Sequence, residues 1–517
     1  MQSFIQRFHD KVSGVLSGWD RVRFRGTIRW LSSLRGMSSF LAGRRILLKE
    51  FRTWAMNLTE QIREATEALA EREGLKVRYV YSSTVRKEEI AQSEAGKRWE
   101  RDGLSCILSC VEPCHSFSVG PNAELRRLEL RYHNAKCLHY YFYMRHPQVG
   151  PMHVRLQTWL PFNVHVCLNG RDWLGQQLRA ARVPHVQCDN TFCFVKDVPR
   201  AQRLLDRQLR TNWDQLLDRL LRQVHPSHVR LFQPTLDYYW SAEETEWATD
   251  VMFRSPDDLA ALYPRLLRHG MLCFGGDDVL RFLGRPGTVR QLSAGRLQTD
   301  LKRRHEGLRL KHALNRNSLK MYDKQASVLR VETTVNDPRD MKVYRTVEGD
   351  PRGPKRWLRL RKGVADLHRR AEVSQASNAR YLEALAAVEE TPTLEQVATP
   401  ICQPVTWTGG RARAFNPLAE NDARLLEAIN RGEFAINGFR NRDLGAVLYG
   451  PRPTDASAAK RLAAKVTRQL RLLRAHRLIK KVPHTHRYIL THIGTTTINA
   501  LLAAKHATTQ QLTQLAV

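Results

Sequence analysis

The sequence predicts an α+β multidomain protein: a basic α/β and antiparallel-sheet body followed by a C-terminal winged helix. Three observations carry that class. The chain has 517 residues, enough for two to four domains with substantial cores. Strand and helix periodicities alternate through most of its length. Near the C-terminus a long amphipathic helix runs into two short strand patterns and a final apolar helix. The expected organisation is a basic α/β region at 1–130, an α+β body with antiparallel strands at 131–390, a linker at 391–420 and a winged-helix domain at 421–505.

Charge narrows the function. There are 83 Lys and Arg against 51 Asp and Glu, a net +32, with 42% hydrophobic residues. Such an excess on a folded chain points to nucleic acid. An anionic membrane surface is the rival, disfavoured because no apolar run has transmembrane length and no lipidation signal is present. Met1 to Asp20 also lacks the apolar core of a secretory signal. Nine scattered cysteines show no disulfide rhythm, which fits a reducing, cytoplasmic setting. Cys106, Cys110 and Cys114 with His115 could close a zinc site, but paired CxxC knuckles are missing. Leu104 to Val111 reads better as a buried strand in which Cys packs as a small apolar residue, so no metal ligands are predicted. Neither GxxxxGK[ST] nor GxGxxG occurs, which argues against a nucleotide-driven motor.

The elements follow in order. Arg21, Arg23, Arg25 and Arg29 alternate with Val22, Phe24, Gly26, Ile28 and Trp30. A period of two places the arginines on one strand face, about 6–7 Å apart, a spacing suited to a phosphate backbone. The alternative is an ordinary edge strand with its arginines in water. Phe40 to Glu73 is helical, with Ile46, Leu47, Phe51, Trp54, Leu58 and Ile62 as its stripe. Val77–Tyr81, Val85–Arg101 and Leu104–Cys110 form a β-α-β unit. Cys137 to Asp197 is rich in strands, enough for a four- or five-stranded sheet with helices to one side. Its aromatics either stack bases or fill a core. Trp213 to Val224 is an amphipathic helix, and Glu243, Glu244, Glu246 and Asp250 are placed to hold arginines, with metal ligation as the lesser alternative.

Leu308–Leu314, Ser318–Asp323 and Val328–Val335 read as three strands. Pairing the last two in either even-offset register brings Lys320, Tyr322, Arg330 and Glu332 onto one polar face. These are the parts for phosphodiester cleavage. A phenol attacks phosphorus, a carboxylate holds a divalent metal, and cations stabilise the developing charge. The alternative is a sheet face carrying cross-strand ion pairs. SLKMYDKQASVLRVETT resembles the YDK and RxE strands of rolling-circle replication initiators, which nick DNA through a tyrosine. The match spans under twenty residues and lacks a His-hydrophobic-His metal strand, because Val164-His165-Val166 has one histidine. Mg²⁺ or Mn²⁺ is expected only if the protein is catalytic.

Gly363 to Val388 predicts a long helix, with Arg361, Lys362, Arg369 and Arg370 adding to a basic surface. Six Pro and Gly between Thr391 and Glu420 mark a linker. Asp422–Asn430 and Asn441–Tyr449 follow as helices. Leu462, Val466, Leu470 and Leu473 then form one helical face. Between Asp455 and Arg487 stand ten Lys and Arg and one acid. Leu478–Val482 and Tyr488–Thr491 make a hairpin, and Ile498–Ala504 a closing helix. VTRQLRLLRAHRLIKKV and RYILTHIGTTTINALL resemble the recognition helix, wing and last helix of MarR- and ArsR-type winged-helix DNA-binding domains. The resemblance covers roughly the last fifth of the chain and implies that Lys465, Thr467, Arg468 and Arg471 meet bases while Lys480, Lys481 and Arg487 form the wing.

The expected function is nucleic-acid binding, DNA favoured over RNA, in a bacterial cytoplasmic protein of replication or mobile-element type, with a tyrosine-dependent DNA nickase as its enzymatic form. A non-catalytic transcriptional regulator and a structured-RNA-binding protein are the alternatives.

Overall fold

An eleven-stranded mixed sheet organises residues up to Val335. The computed structural model describes residues 1–147, 149–225, 228, 236–285, 296–304, 307–347, 349–350, 352–389, 394–407 and 410–508. Within it, β1 (Val12–Thr27) is central. On one side lie β6 (Val164–Asn169), β5 (Gly150–Gln157), β4 (Arg127–His146), β3 (Gly103–Asn122) and β2 (Val77–Tyr79). On the other lie β9 (Tyr239–Phe253), β13 (Val328–Val335), β12 (Asn317–Lys324), β11 (Gly307–Leu314) and β10 (Leu297–Arg304). All neighbours pair antiparallel except β2 and β3, the parallel pair of the single β-α-β unit. A separate hairpin, β7 (His185–Cys188) and β8 (Thr191–Val195), is inserted between β6 and β9 in sequence.

This architecture corrects several expectations. The arginine strand is not an edge: β1 pairs with β6 and β9 over its whole arginine-bearing part. The strands of 137–197 are not a small sheet of their own, because β6 pairs with β1 and so joins them to β9–β13. Residues 130 and 131 lie inside β4, whose ladder with β3 continues past them. Phe40 to Glu73 is two helices, Leu34–Gly43 and Phe51–Arg72. Arg45 at φ 57° ends the first, leaving Ile46 and Leu47 in the connection, Leu47 exposed.

Three large apolar cores and two smaller clusters result among the described residues. The first packs β1 and β3–β6 against helices Phe51–Arg72, Gly170–Ala180, Val198–Gln208 and Trp213–Val224. The second packs β9 and β11–β13 against Gln2–Arg7, Pro256–Leu272, Gly276–Phe282 and Leu367–Leu385. Several of these helices start where the sequence provides a cap: Asn169, Asp197, Asn212 and Ser255 each accept a backbone N–H of the first turn. Arg370, expected on the surface, is fully buried.

Beyond the sheet come two small hairpins, β14 (Lys342–Arg345) with β15 (Arg356–Arg359) and β16 (Val405–Trp407) with β17 (Gly410–Ala412). The third core holds helices Glu420–Ile429, Asn441–Tyr449, Ala456–Ala475 and His492–His506, with β18 (Ile479–Lys481) and β19 (Tyr488–Leu490). Val466, Leu470 and Leu473 are buried as their spacing predicts. The expected linker is partly folded into this unit: Ile401 and Phe415 enter its core, while Thr391, Pro392 and Gly409 lie outside the described residues. No helix among the described residues is long and apolar enough to cross a membrane.

Candidate active site

Lys320 and Tyr322 of β12 stand directly opposite Glu332 and Arg330 of β13, so the even-offset pairing brings together the four residues expected from sequence. The Tyr322 hydroxyl donates to Glu332 Oε2 at 2.6 Å. Lys320 Nζ donates to Glu332 Oε1 at 2.6 Å and to Glu246 Oε1 at 3.0 Å. Arg330 makes a bidentate pair with Asp250 at 2.6 and 2.8 Å and reaches Asp20 Oδ1 at 3.0 Å.

Distant elements supply the rest. Asp20 reaches the cluster through a β-bulge. Trp19 and Arg21 oppose the adjacent residues Trp247 and Glu246, leaving Asp20 as the extra residue. A bulge redirects a side chain that strict alternation would assign to the other face. The β7–β8 turn places Asn190 over the site, where its amide donates to Asp20 at 3.1 Å and accepts from Lys324 at 2.9 Å. The Arg171 guanidinium, at the start of helix Gly170–Ala180, lies 3.2 Å from Asp250. Gly170 makes this approach possible, since a Cβ there would sit 2.1 Å from the Trp19 carbonyl oxygen.

These groups open on a cavity of about 280 Å³, whose wall includes Arg21, Arg304, Arg309, Lys320 and Lys324 against the carboxylates of Asp20, Glu246 and Glu332. Five cations against three acids favour an anionic guest. Burial, and then the Glu332 charge, push the Tyr322 phenol well above its ordinary value. Burial alone would raise Glu332 as well, but Lys320 and the phenol hydrogen bond hold it far below the usual carboxylate range. Burial and the neighbouring Glu332 charge instead raise Glu246, and burial raises Asp20. Glu332 is thus kept ionised beside the phenol.

Asp20, Glu246 and Glu332 each present an oxygen within 4.8 Å of the others. An all-carboxylate set of that size fits a hard divalent cation such as Mg²⁺ or Mn²⁺. Lys320 Nζ is the positive charge that now lies between two of them.

The other sequence candidates are dispersed. Arg21 pairs with Glu246 at 3.5 Å and Arg25 with Glu243 at 3.2 Å; Arg23 is exposed. Arg29 is not on the strand. β1 ends at Thr27 and Arg29 leads a 3₁₀ turn, its guanidinium 3.3 Å from the Tyr239 ring centroid. On helix Ala456–Ala475, Lys465, Thr467, Arg468 and Arg471 are all exposed. Thr467 is nevertheless turned inward, donating to the Ala463 carbonyl at 2.8 Å and accepting from Asn441 at 2.9 Å. Lys480 and Lys481 are exposed on β18. Arg487 stacks on Tyr344 at 4.7 Å, where the C-terminal unit meets the sheet-bearing body.

Sequence reasoning missed Asp20, Arg171, Asn190 and Lys324 as site residues. Asp20 stood in the apolar register of its strand, and the only local signal was its departure from alternation. Glu246 and Asp250 were expected to hold arginines. Asp250 does so, and Glu246 holds both Arg21 and Lys320. No protein-family model, curated protein or solved structure matches this chain.

Proposed function

We propose that the chain binds nucleic acid, DNA in preference to RNA, and cleaves one phosphodiester bond through Tyr322, as in replication or mobile-element proteins. The observation that carries this reading is the Tyr322–Glu332 hydrogen bond in a cleft whose charged lining is five cations to three acids. A nucleophile paired with a base and surrounded by positive charge is the arrangement phosphoryl transfer requires. Tyr322 Oη attacks phosphorus while Glu332 orients the phenol and draws on its proton through the 2.6 Å hydrogen bond; the bond from phosphorus to the departing sugar oxygen breaks, and that oxygen takes up the proton. Arg309 and Lys324 line the same cleft and offset the charge that builds on the phosphate oxygens. Asp20, Glu246 and Glu332 would hold a Mg²⁺ or Mn²⁺ ion, which when bound adds positive charge at the phosphate.

The C-terminal unit supports the binding half of the reading as a winged helix. Helix Ala456–Ala475 buries its apolar stripe and exposes Lys465, Arg468 and Arg471, with the two lysines of β18 beside it. A helix so charged suits the major groove, and a basic hairpin suits phosphate.

Incubation with labelled single-stranded DNA and Mg²⁺ or Mn²⁺ tests the catalytic half. The expected product is a denaturant-resistant protein–DNA adduct that disappears in Tyr322→Phe. An adduct that survives this substitution, or none with any substrate, would defeat it. Binding alone would then remain, the second reading, in which the centre is an ion-pair network. The bidentate Arg330–Asp250 pair favours that reading.

A further inference from the structure

Far from the candidate active site, two thiols and an imidazole meet on neighbouring strands. In the β3–β4 ladder Glu112 opposes Cys137, Cys110 opposes His139 and Cys114 opposes Ala135. Opposed residues share a face, so Cys114, Cys137 and His139 project to the same side. One ligand atom from each lies within 4.8 Å of the other two. The residues that cluster in sequence do not cluster in space. Cys106, Cys110 and Cys114 are spaced four apart along one strand, roughly 13 Å per step, too far to share an ion.

We propose that Cys114, Cys137 and His139 form a binding site for a zinc-class divalent ion. Two thiolates and an imidazole are the donors that such borderline-soft ions prefer, and three protein ligands leave a fourth tetrahedral position for water. The imidazole is already oriented. His139 Nδ1 lies 3.1 Å from the Cys137 carbonyl oxygen, and a ring N–H donated to a carbonyl is the usual support of a metal-bound histidine. This leaves the lone pair on Nε2, which accepts from Arg155 at 3.2 Å. Arg155 has a second partner, Glu112 at 2.9 Å, so it can release the imidazole without losing its counter-charge. Two thiolates neutralise a divalent ion, which limits its repulsion with Arg155.

The position gives the ion a task. His139–Gln157 is the last pair between β4 and β5. From there to its turn no third strand among the described residues pairs with the β3–β4 ribbon, and two-stranded ribbons are marginal in water. An ion at this root ties both strands together. It lies three to four strands from β1, roughly 15–20 Å away, too far to share ligands with the carboxylate cluster.

Reduced, chelator-stripped full-length protein titrated with Co²⁺ provides the test. One equivalent should bind with a thiolate-to-cobalt charge-transfer band and be displaced by Zn²⁺. Cys114→Ser and Cys137→Ser should each lose that binding. His139→Gln should weaken it, and Cys188→Ser, at the end of β7, should leave it unchanged. Absence of the band, or its persistence in the Cys114→Ser, Cys137→Ser double variant, overturns the proposal. Should these variants fail to fold, the wild type still decides: Zn²⁺ should slow alkylation of Cys114 and Cys137 as read by mass spectrometry. Equal alkylation with and without Zn²⁺, or a Cys114–Cys137 disulfide that forms in air equally fast in its presence, also overturns it.

Discussion

Arg330 is fully buried, with Asp250, Asp20 and the Asn190 carbonyl around it. A buried guanidinium of this kind is tolerable only because every side meets a carboxylate or a carbonyl oxygen. Removing it strands two carboxylates in the interior, beside Arg171 and, at Asp20, the neutral Asn190 amide. Arg330→Met is therefore expected to cost about 3–5 kcal/mol in urea unfolding. Tyr322→Phe removes one hydrogen bond from a carboxylate that keeps Lys320, and should cost only about 1–2 kcal/mol. On the proposed reading the two variants separate the roles: the first is expected to lose stability, the second adduct formation. Arg330, Glu332, Lys320 and Tyr322 were legible as a set because they sit on two consecutive strands, where alternation defines a face. Their burial was not, since β13 is covered on both sides and nothing in eight residues announces what lies above them.

At the scale of elements, the approach of helix Gly170–Ala180 to β1 decides where Arg171 stands. The missing Cβ of Gly170 lets the helix start against the Trp19 carbonyl. Gly170→Ala must push the helix away and pull Arg171 from Asp250. The expected loss is about 1–3 kcal/mol, read as a lower thermal midpoint together with weaker adduct formation. The bulge at Asp20 is another feature of this scale. Alternation gave the right face for Arg21, Arg23 and Arg25 and the wrong one for Asp20, because a bulge inserts a residue without changing the apolar pattern on either side. The C-terminal helix is the opposite case. Its four-, four- and three-residue spacing located both the buried face and, by subtraction, the exposed cations. On that face Arg468→Ala is expected to cost about 1–3 kcal/mol at a preferred DNA site and little elsewhere. Lys480→Ala should weaken all sequences alike and lower the salt slope by about one. Fluorescence anisotropy at several salt concentrations measures both.

For the whole molecule, two buried histidines, His225 and His312, and two half-buried ones, His153 and His165, set an acid limit. Burial, the largest influence in each case, holds His153 and His312 down to about 4 and His165 and His225 down to about 3. Unfolded, each titrates near 6.5. Between those values the unfolded chain binds protons that the folded chain refuses, so stability falls as pH drops below about 6.5. Each histidine contributes up to about 1.4 kcal/mol per pH unit. Asp172 and Asp323, which burial lifts to about 6, act in the opposite sense, so urea midpoints should decline from neutral pH and do so less steeply below about pH 6, and His165→Gln should flatten the decline. Glu332 acts in the same direction at lower pH, because its depressed value makes its contribution vanish only in strong acid.

By itself the sequence determined the net charge, the faces of β1, β12 and β13 and the apolar stripe of the C-terminal helix. Each of these is a property of consecutive residues, and local periodicity reports it. Only the tertiary structure decided that Asp20 meets Arg330 from 310 residues away, that Asn190 covers them both, and that Cys114 finds Cys137 and His139. Strand order and register are chosen by how faces pack against one another. A single bulge or a missing Cβ can move a charged group across a sheet without leaving a mark in the pattern.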